Sequence, residues 1–341
     1  MRPKVTNPVT VEVLRGEAVE SRHRGAISIV DAAGKTVFSL GDVEKPVFPR
    51  SAIKALQALP LVESGIADRL GLTAQEISLA CSSHSGEPIH VETALSMLKK
   101  AGQGADCLEC GAHWPVSGKA ERELAATGEK PSALHNNCSG KHSGFICLSC
   151  GLNEDPKGYI GAEHRVQREI RAAGEEMTGF TYLDAFAGID GCSIPTYAVP
   201  LKALALGFAR FGTGYGLGKK RAEAAQRIRD SVAQYPLLVA GTGRFDTEVM
   251  NLFGTRLFMK TGAEGVYCAT IPEQGLGIAV KCDDGEGRAA QVILGAIVQH
   301  FLPMSETEHD NLAKLAEPVL RNWNGIEVGR LRSVLDFTKT S

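Results

Sequence analysis

The chain has 341 residues, 43% of them hydrophobic and 22% charged. That is enough to bury one large core or two ordinary ones, and it excludes a disordered or fibrous chain. A formal net charge of -2, without any run of Lys and Arg, argues against a nucleic-acid or anionic-membrane surface and leaves a small molecule as the expected partner. Nine cysteines, an odd number in a long chain, fit reduced thiols or metal ligands better than a disulfide scaffold, and a cytoplasmic location is expected.

In chain order, residues 1–13 alternate polar and apolar side chains and read as extended chain, not as a secretion signal. No stretch approaches the roughly 18 unbroken apolar residues of a membrane span. Strand signals occur at 9–14, 26–30 and 36–40, with Asp31-Ala32-Ala33-Gly34 as the turn between the last two; an antiparallel meander is expected. Beyond Pro46 and Pro49 the spacing changes. Ala52, Ile53, Ala55, Leu56 and Leu59 recur at helical intervals until Pro60 and Gly65 interrupt them, which puts Ser51 at a helix start.

Residues 61–235 are mainly helical in pattern, with a capping box from Thr73 to Glu76, amphipathic stretches at 89–100 and 216–234, and Gly-, Cys- and His-rich loops between them. Strand signals return at 265–271 and 277–281, an Ala-rich helix follows at 288–301, and a capping box from Ser305 to Glu308 opens one more. The expected fold is α/β of the α+β type. Residues 1–48 and 247–341 form an antiparallel-sheet domain from both termini with flanking helices, and 49–246 form a mostly helical inserted domain carrying the Ser51 helix and the Cys138 and Cys192 loops.

Ser51 and Lys54 have the Ser-x-x-Lys spacing, which on a helix puts both side chains on one face, so that a neutral amine can act as base for the hydroxyl. The same spacing recurs at Ser96 and Lys99 inside an ordinary amphipathic helix, so alone it equally describes a helix N-cap beside a solvated lysine. A single Lys260-Thr261-Gly262 late in the chain adds weight, because Ser-x-x-Lys followed by Lys-Thr-Gly is the order in penicillin-recognising serine enzymes. No Ser-Asp-Asn lies between the two, which speaks against β-lactamase activity.

Cys81-Ser82-Ser83-His84-Ser85-Gly86 is either a loop lining a site or a turn satisfying its own backbone. The segment from His135 to Gly144, containing Cys138, Lys141 and His142, is the densest in reactive groups. With Asp190-Gly191-Cys192 it offers two thiols, imidazoles and a carboxylate to zinc; the alternative is a Gly-rich turn with a buried cysteine. Spacing alone favours His135 or His142 over a lysine as a further ligand, since an amine binds zinc only when neutral. The pairs Cys107/Cys110 and Cys147/Cys150 invite a four-thiolate zinc site, yet the second lies in an apolar helical stretch where cysteine serves as a small core residue.

Together these segments resemble the rhizobial-type L-asparaginase II family, whose fold is similar to serine β-lactamases and glutaminases. The likeness covers nearly the whole chain. It rests on Arg15-Gly16 through His23 to Gly25, Pro49-Arg50-Ser51 to Lys54, Cys81 to Glu87, Cys110 to His113, Asn137 to His142, Asp190-Gly191-Cys192, Gly241-Thr242-Gly243-Arg244-Phe245, and Lys260 to Gly265. It implies a homodimeric L-asparagine amidohydrolase with two Ser-Lys pairs, Ser51 with Lys54 and Ser83 with Lys260, and zinc held by Cys138, Lys141 and Cys192. Ser51 would attack the side-chain carbonyl, ammonia would leave, and water would hydrolyse the aspartyl ester. Arg50 and Lys260 are candidates for the substrate α-carboxylate and Asp190 for its ammonium; His84 and Lys141 complete the expected substrate-binding set. The rivals are a glutaminase, one methylene away, a thiol-based zinc or redox module in which Ser51 only caps a helix, and a catalytically silent amino-acid binder.

Overall fold

The computed structural model describes residues 6–338; positions 1–5 and 339–341, which belong to the expected sheet domain and, at the amino end, to the extended segment, lie outside the described residues. Eight strands form the main sheet: β1 (Val9–Arg15), β2 (Ala18–Asp31), β3 (Thr36–Leu40), β4 (Phe258–Gly262), β5 (Val266–Ile271), β6 (Leu276–Cys282), β7 (Val319–Arg321) and β8 (Glu327–Ser333). Their order is β7-β8-β1-β2-β6-β5-β4, with β3 also on β2, and every pair is antiparallel. The two ends of the chain meet as expected: Val11 pairs with Ser333 and Val13 with Leu331.

Strand β2 joins the two halves of this sheet. Up to Arg24 it pairs with β1 and is mostly exposed; from Gly25 it pairs with β6 and becomes almost wholly buried. The composition explains the change. Residues 26–30 are a nearly continuous apolar run, whereas Glu20, Arg22 and Arg24 suit a solvated face, which is why the strand signal was confined to its second half. Helix Leu201–Thr213 packs on β2, β5 and β6, and helix Gly287–Phe301 on β1, β5, β6 and β8. Because successive strand residues point to opposite faces, the complete burial of β5 means that both of its faces are covered.

Both capping boxes form, at Thr73 with Glu76 and at Ser305 with Glu308. The helix expected after Ser51 is broken into a 3-10 turn, Arg50–Ile53, and two short pieces, Lys54–Gln57 and Leu59–Glu63. Pro60 does not interrupt it: it sits in the first turn of the third piece, where a missing N–H leaves no intrahelical bond unmade. The reactive segment around Cys138 is not a Gly-rich turn either. It enters helix Ser139–Gly151, which buries Phe145, Ile146, Cys147 and Leu148. All nine cysteines are free thiols, and no helix among the described residues is long and apolar enough to cross a membrane.

Candidate active site

Ser51 stands in the Arg50–Ile53 turn, where residues three apart eclipse, so Ser51 and Lys54 leave the backbone on the same side. Ser51 is no helix cap: the N-cap position belongs to Pro49, and what Ser51 contributes to the turn is its carbonyl, which accepts the Lys54 N–H. Arg50, immediately before it, has φ +51°, a left-handed conformation that costs a non-glycine residue on the order of 1–3 kcal/mol.

Lys54 is 1% exposed. Its Nζ donates to Ser82 O at 2.5 Å, Ser83 Oγ at 2.8 Å and Cys138 Sγ at 3.1 Å, which uses all three donors of an ammonium. The expected pairing is thus rearranged: the hydroxyl on Lys54 is that of Ser83, not Ser51, and Lys260 Nζ donates to Thr261 O at 2.8 Å. Ser83 is brought there by a loop laced to two others, with Ser83 N–H on Val239 O at 2.8 Å and His84 N–H on Asn137 O at 3.1 Å. The start of helix Ser139–Gly151 presses on the same loop. A Cβ at Gly140 would lie 2.9 Å from Ser82 Oγ in that loop and 2.4 Å from Leu79 O in the helix before it, so this approach requires glycine.

The Lys-Thr-Gly motif forms strand β4, the end of the sheet nearest Ser51. A Cβ at Gly262 would lie 2.7 Å from Pro49 O, so the motif's glycine lets the strand close on the serine turn. Lys260 is fully buried, and burial, opposed by Asp246 and reinforced by the charges of Lys54 and Arg244, pulls its amine down to about 7. Asp246 was not foreseen from the sequence. It is 1% exposed, accepts from Thr261 N–H at 2.9 Å and Tyr267 O–H at 2.5 Å, and so braces the motif from behind.

Lys141 is also buried and donates to Cys192 Sγ at 3.0 Å. The Cys192 thiol, hydrogen-bonded to Cys138, holds Cys138 well below the usual thiol range against the effect of burial, with Lys54 and Lys141 assisting; the same bond and burial push Cys192 up. Burial acts to depress Lys141, but the sulfurs of Cys138 and Cys192 win and raise it. Asp190 and Cys192 share the turn of a ribbon, Ala187–Ile189 with Pro195–Tyr197. Asp190 Oδ1 accepts from Arg50 Nε at 2.7 Å and Gly191 N–H at 2.9 Å. Burial raises its carboxyl, yet the Gly191 N–H, Lys141 and Arg50 together hold it below the usual carboxylate range.

His84 is completely buried, with Nε2 on Ser139 Oγ at 2.8 Å and Nδ1 accepting the Gly86 N–H at 3.1 Å. Both ring nitrogens are hydrogen-bonded within the loops around Ser83. Among the described residues no group of three or more His, Cys, Asp and Glu side chains is placed to hold a metal; His135 and His142 are not grouped with the two thiols, and the side chain bonded to Cys192 is Lys141. Cys107, Cys110 and Cys147 instead direct their thiols at Gln103 Oε1, Ala133 O and Met97 O, and Cys150 accepts from Gln103.

Solved structures similar to this chain include a β-lactamase from Mycobacterium bovis (13% identity, 82% of this chain and 95% of that one, TM-score 0.40). Others are the D-alanine carboxypeptidase AmpC from Burkholderia cenocepacia (14%, 80% and 93%, 0.39) and Mglu in its native form (15%, 93% and 74%, 0.37). Likenesses at these scores carry no weight for function. No curated protein matches the sequence. Residues 11–333 match the family described as L-asparaginase II, a span that takes in both ends of the sheet and Ser51, Lys54, Ser83, Cys138, Lys141, Cys192 and Lys260, so the chain belongs to the L-asparaginase II family of amidohydrolases.

Proposed function

We propose that the protein hydrolyses the side-chain amide of L-asparagine to L-aspartate and ammonia, with Ser51 as nucleophile. The observation that carries this reading is Lys54, a buried amine in the same turn as Ser51 and on its side of the backbone. The Ser51 hydroxyl gives its proton to Lys260 as its oxygen attacks the amide carbon, while Lys54 holds Ser83. Lys260, near neutral at physiological pH, can receive a proton there, and Ser83 on Lys54 can relay one. The proton returns to the leaving nitrogen, ammonia departs, and water attacks the resulting aspartyl ester by the same route. The backbone N–H of Ser51 is assigned to the developing oxyanion, since that of Ala52 is spent on Pro49 O at 3.1 Å, and Asp190 takes the substrate ammonium.

Cys138, Cys192 and Lys141 fit zinc by the chemistry of their donors: two hydrogen-bonded thiols, one of them held well below the usual thiol range, with an amine against the second. Lys141 must lose its proton to join them. Bound there, zinc supplies a positive charge that polarises nearby oxygen, while the protons and the nucleophile stay with the serines and lysines. Metal analysis tests this, with zinc expected in the wild-type protein and lost from Cys192→Ser. The proposal extends to a cytoplasmic homodimer, whose mass is measured by sedimentation.

The hydrogen bond from Lys54 to Ser83 favours a second reading in which Ser83 is the nucleophile. Ammonia release from L-asparagine and L-glutamine by wild type, Ser51→Ala and Ser83→Ala, with the acid-trapped acyl-enzyme mapped by mass spectrometry, separates the two. We expect turnover of asparagine and an adduct on Ser51. An adduct on Ser83 exchanges the roles, preference for glutamine makes the protein a glutaminase, and no ammonia from either substrate removes the reading.

A further inference from the structure

Cations crowd the two serines, and most have their charge answered. Arg50 pairs with Asp190 at 2.7 Å, Lys141 bonds Cys192 at 3.0 Å, and Lys54 has its three donors occupied. Lys260 lies fully buried on Thr261 O. Arg244 differs. It is half-buried, forms no ion pair among the described residues, and its hydrogen bond is a 3.4 Å contact from Nη1 to the neutral Ser85 Oγ. A guanidinium has five N–H donors and cannot shed its charge, so partial burial without an anion is unfavourable and is relieved by one that arrives.

The backbone holds Arg244 beside the Ser83 loop. Ser83 N–H bonds Val239 O at 2.8 Å, Ser85 Oγ donates to Ala240 O at 2.8 Å, and Thr242 reaches both oxygens of Glu87, each at 2.8 Å. Gly241, at φ +123°, sits where a Cβ would lie 2.6 Å from Ser85 Oγ, so only glycine lets the two loops zip together. The carboxylates nearby are already used: Glu87 by Thr242, and Asp246 by Thr261 and Tyr267.

We infer that Arg244 is the anion anchor of the site and takes the α-carboxylate of the amino-acid amide, a role assigned above from sequence to Arg50 and Lys260. This rests on the amidohydrolase reading. Arg50, already paired with Asp190, then serves to orient the carboxylate that receives the substrate ammonium.

The test compares L-asparagine with 3-aminopropanamide, the same amide without the α-carboxylate, in wild type, Arg244→Gln, Arg244→Lys and Arg50→Gln. Loss of a charge-assisted pair of hydrogen bonds predicts that Arg244→Gln raises KM for asparagine about 100-fold. Turnover number and activity on 3-aminopropanamide should hold. Arg244→Lys, which keeps the charge and decides the matter where the glutamine variant does not fold, should raise KM for asparagine about tenfold. Calorimetry with L-aspartate and β-alanine makes the same comparison without turnover. Selective loss of aspartate binding in a protein that releases no ammonia would sink the amidohydrolase reading and leave Arg244 in place. Equal losses on both ligands, no loss at all, or a selective loss confined to Arg50→Gln would overturn the assignment.

Discussion

The chain carries Ser-x-x-Lys twice, and the two copies end in opposite surroundings. In the first, Lys54 is 1% exposed and touches a carbonyl, a hydroxyl and a thiol but no carboxylate. In the second, on helix Pro88–Lys100, Lys99 is exposed and Ser96 Oγ donates to Glu76 Oε1 at 2.8 Å. The same Glu76 carboxylate takes Lys100 Nζ at 2.6 Å and the Thr73 N–H at 2.7 Å. One serine stands beside a buried amine; the other completes a capping network. The spacing puts two side chains on one face in both places, and what lies across from that face decides whether they can do chemistry.

The widest separation between the copies should be in rate. Ser51→Ala is expected to lose about 10⁴-fold or more in ammonia release from asparagine. Its melting temperature should hardly move, since Ser51 caps nothing; Ser96→Ala should keep the wild-type rate. Equal activities in these two proteins would erase the distinction. Lys54→Met should cost about 10²–10⁴-fold in kcat/KM, and Lys99→Met should leave steady-state kinetics unchanged. A kinetically silent Lys54→Met would remove the lysine from the chemistry.

A smaller effect comes from pH. Burial holds Lys260 near 7, and only its neutral form accepts a proton, so kcat/KM should rise with pH through about 7 and level off above it. Lys260→Arg, which stays charged, should abolish that limb; a wild-type profile without the limb would mean that Lys260 is not the titrating base.

The smallest effect belongs to the second copy. Ser96→Ala removes a hydrogen bond to a carboxylate and should lower stability by about 1–2 kcal/mol in urea unfolding. Burial acts to raise the Glu76 carboxyl, but Lys100, Thr73 and Ser96 together lower it. Its contribution is therefore present above the unfolded-state value of about 4.3 and is lost as pH falls through the lower folded value. A Ser96→Ala protein as stable as wild type would leave Thr73 and Lys100 as the groups that matter there.

Much of the fold was legible where the signal is local. Both capping boxes formed at the residues that spell them, and β3, β5 and β6 appeared within a residue or two of their apolar runs. The first half of β2, the Lys-Thr-Gly strand and the β7–β8 hairpin were not read. Their residues are polar or few, and pairing with neighbours distant in sequence makes them strands. In the site, hydrogen bonds link Lys54 with Ser83 and Cys138, Lys141 with Cys192, and Arg50 with Asp190, while Lys260 bonds Thr261 O and not Ser83. Asp246 escaped notice because a lone aspartate in the first turn of a helix looks like a favourable charge at its amino end.

Sequence by itself determined the kinds of side chain present, their spacing along each turn, and the caps and glycines that start helices and permit close approach, because these depend on a few covalently adjacent residues. Only the tertiary structure decided that Lys54 meets Ser83, that Lys260 rather than Lys99 is stripped of water, and that Cys138 and Cys192 share a hydrogen bond across 53 intervening positions of chain. A hydrogen-bond partner and a shifted pKa are set by what lies within a few ångströms in space and by how much water is excluded there, and neither quantity is carried by spacing along the chain.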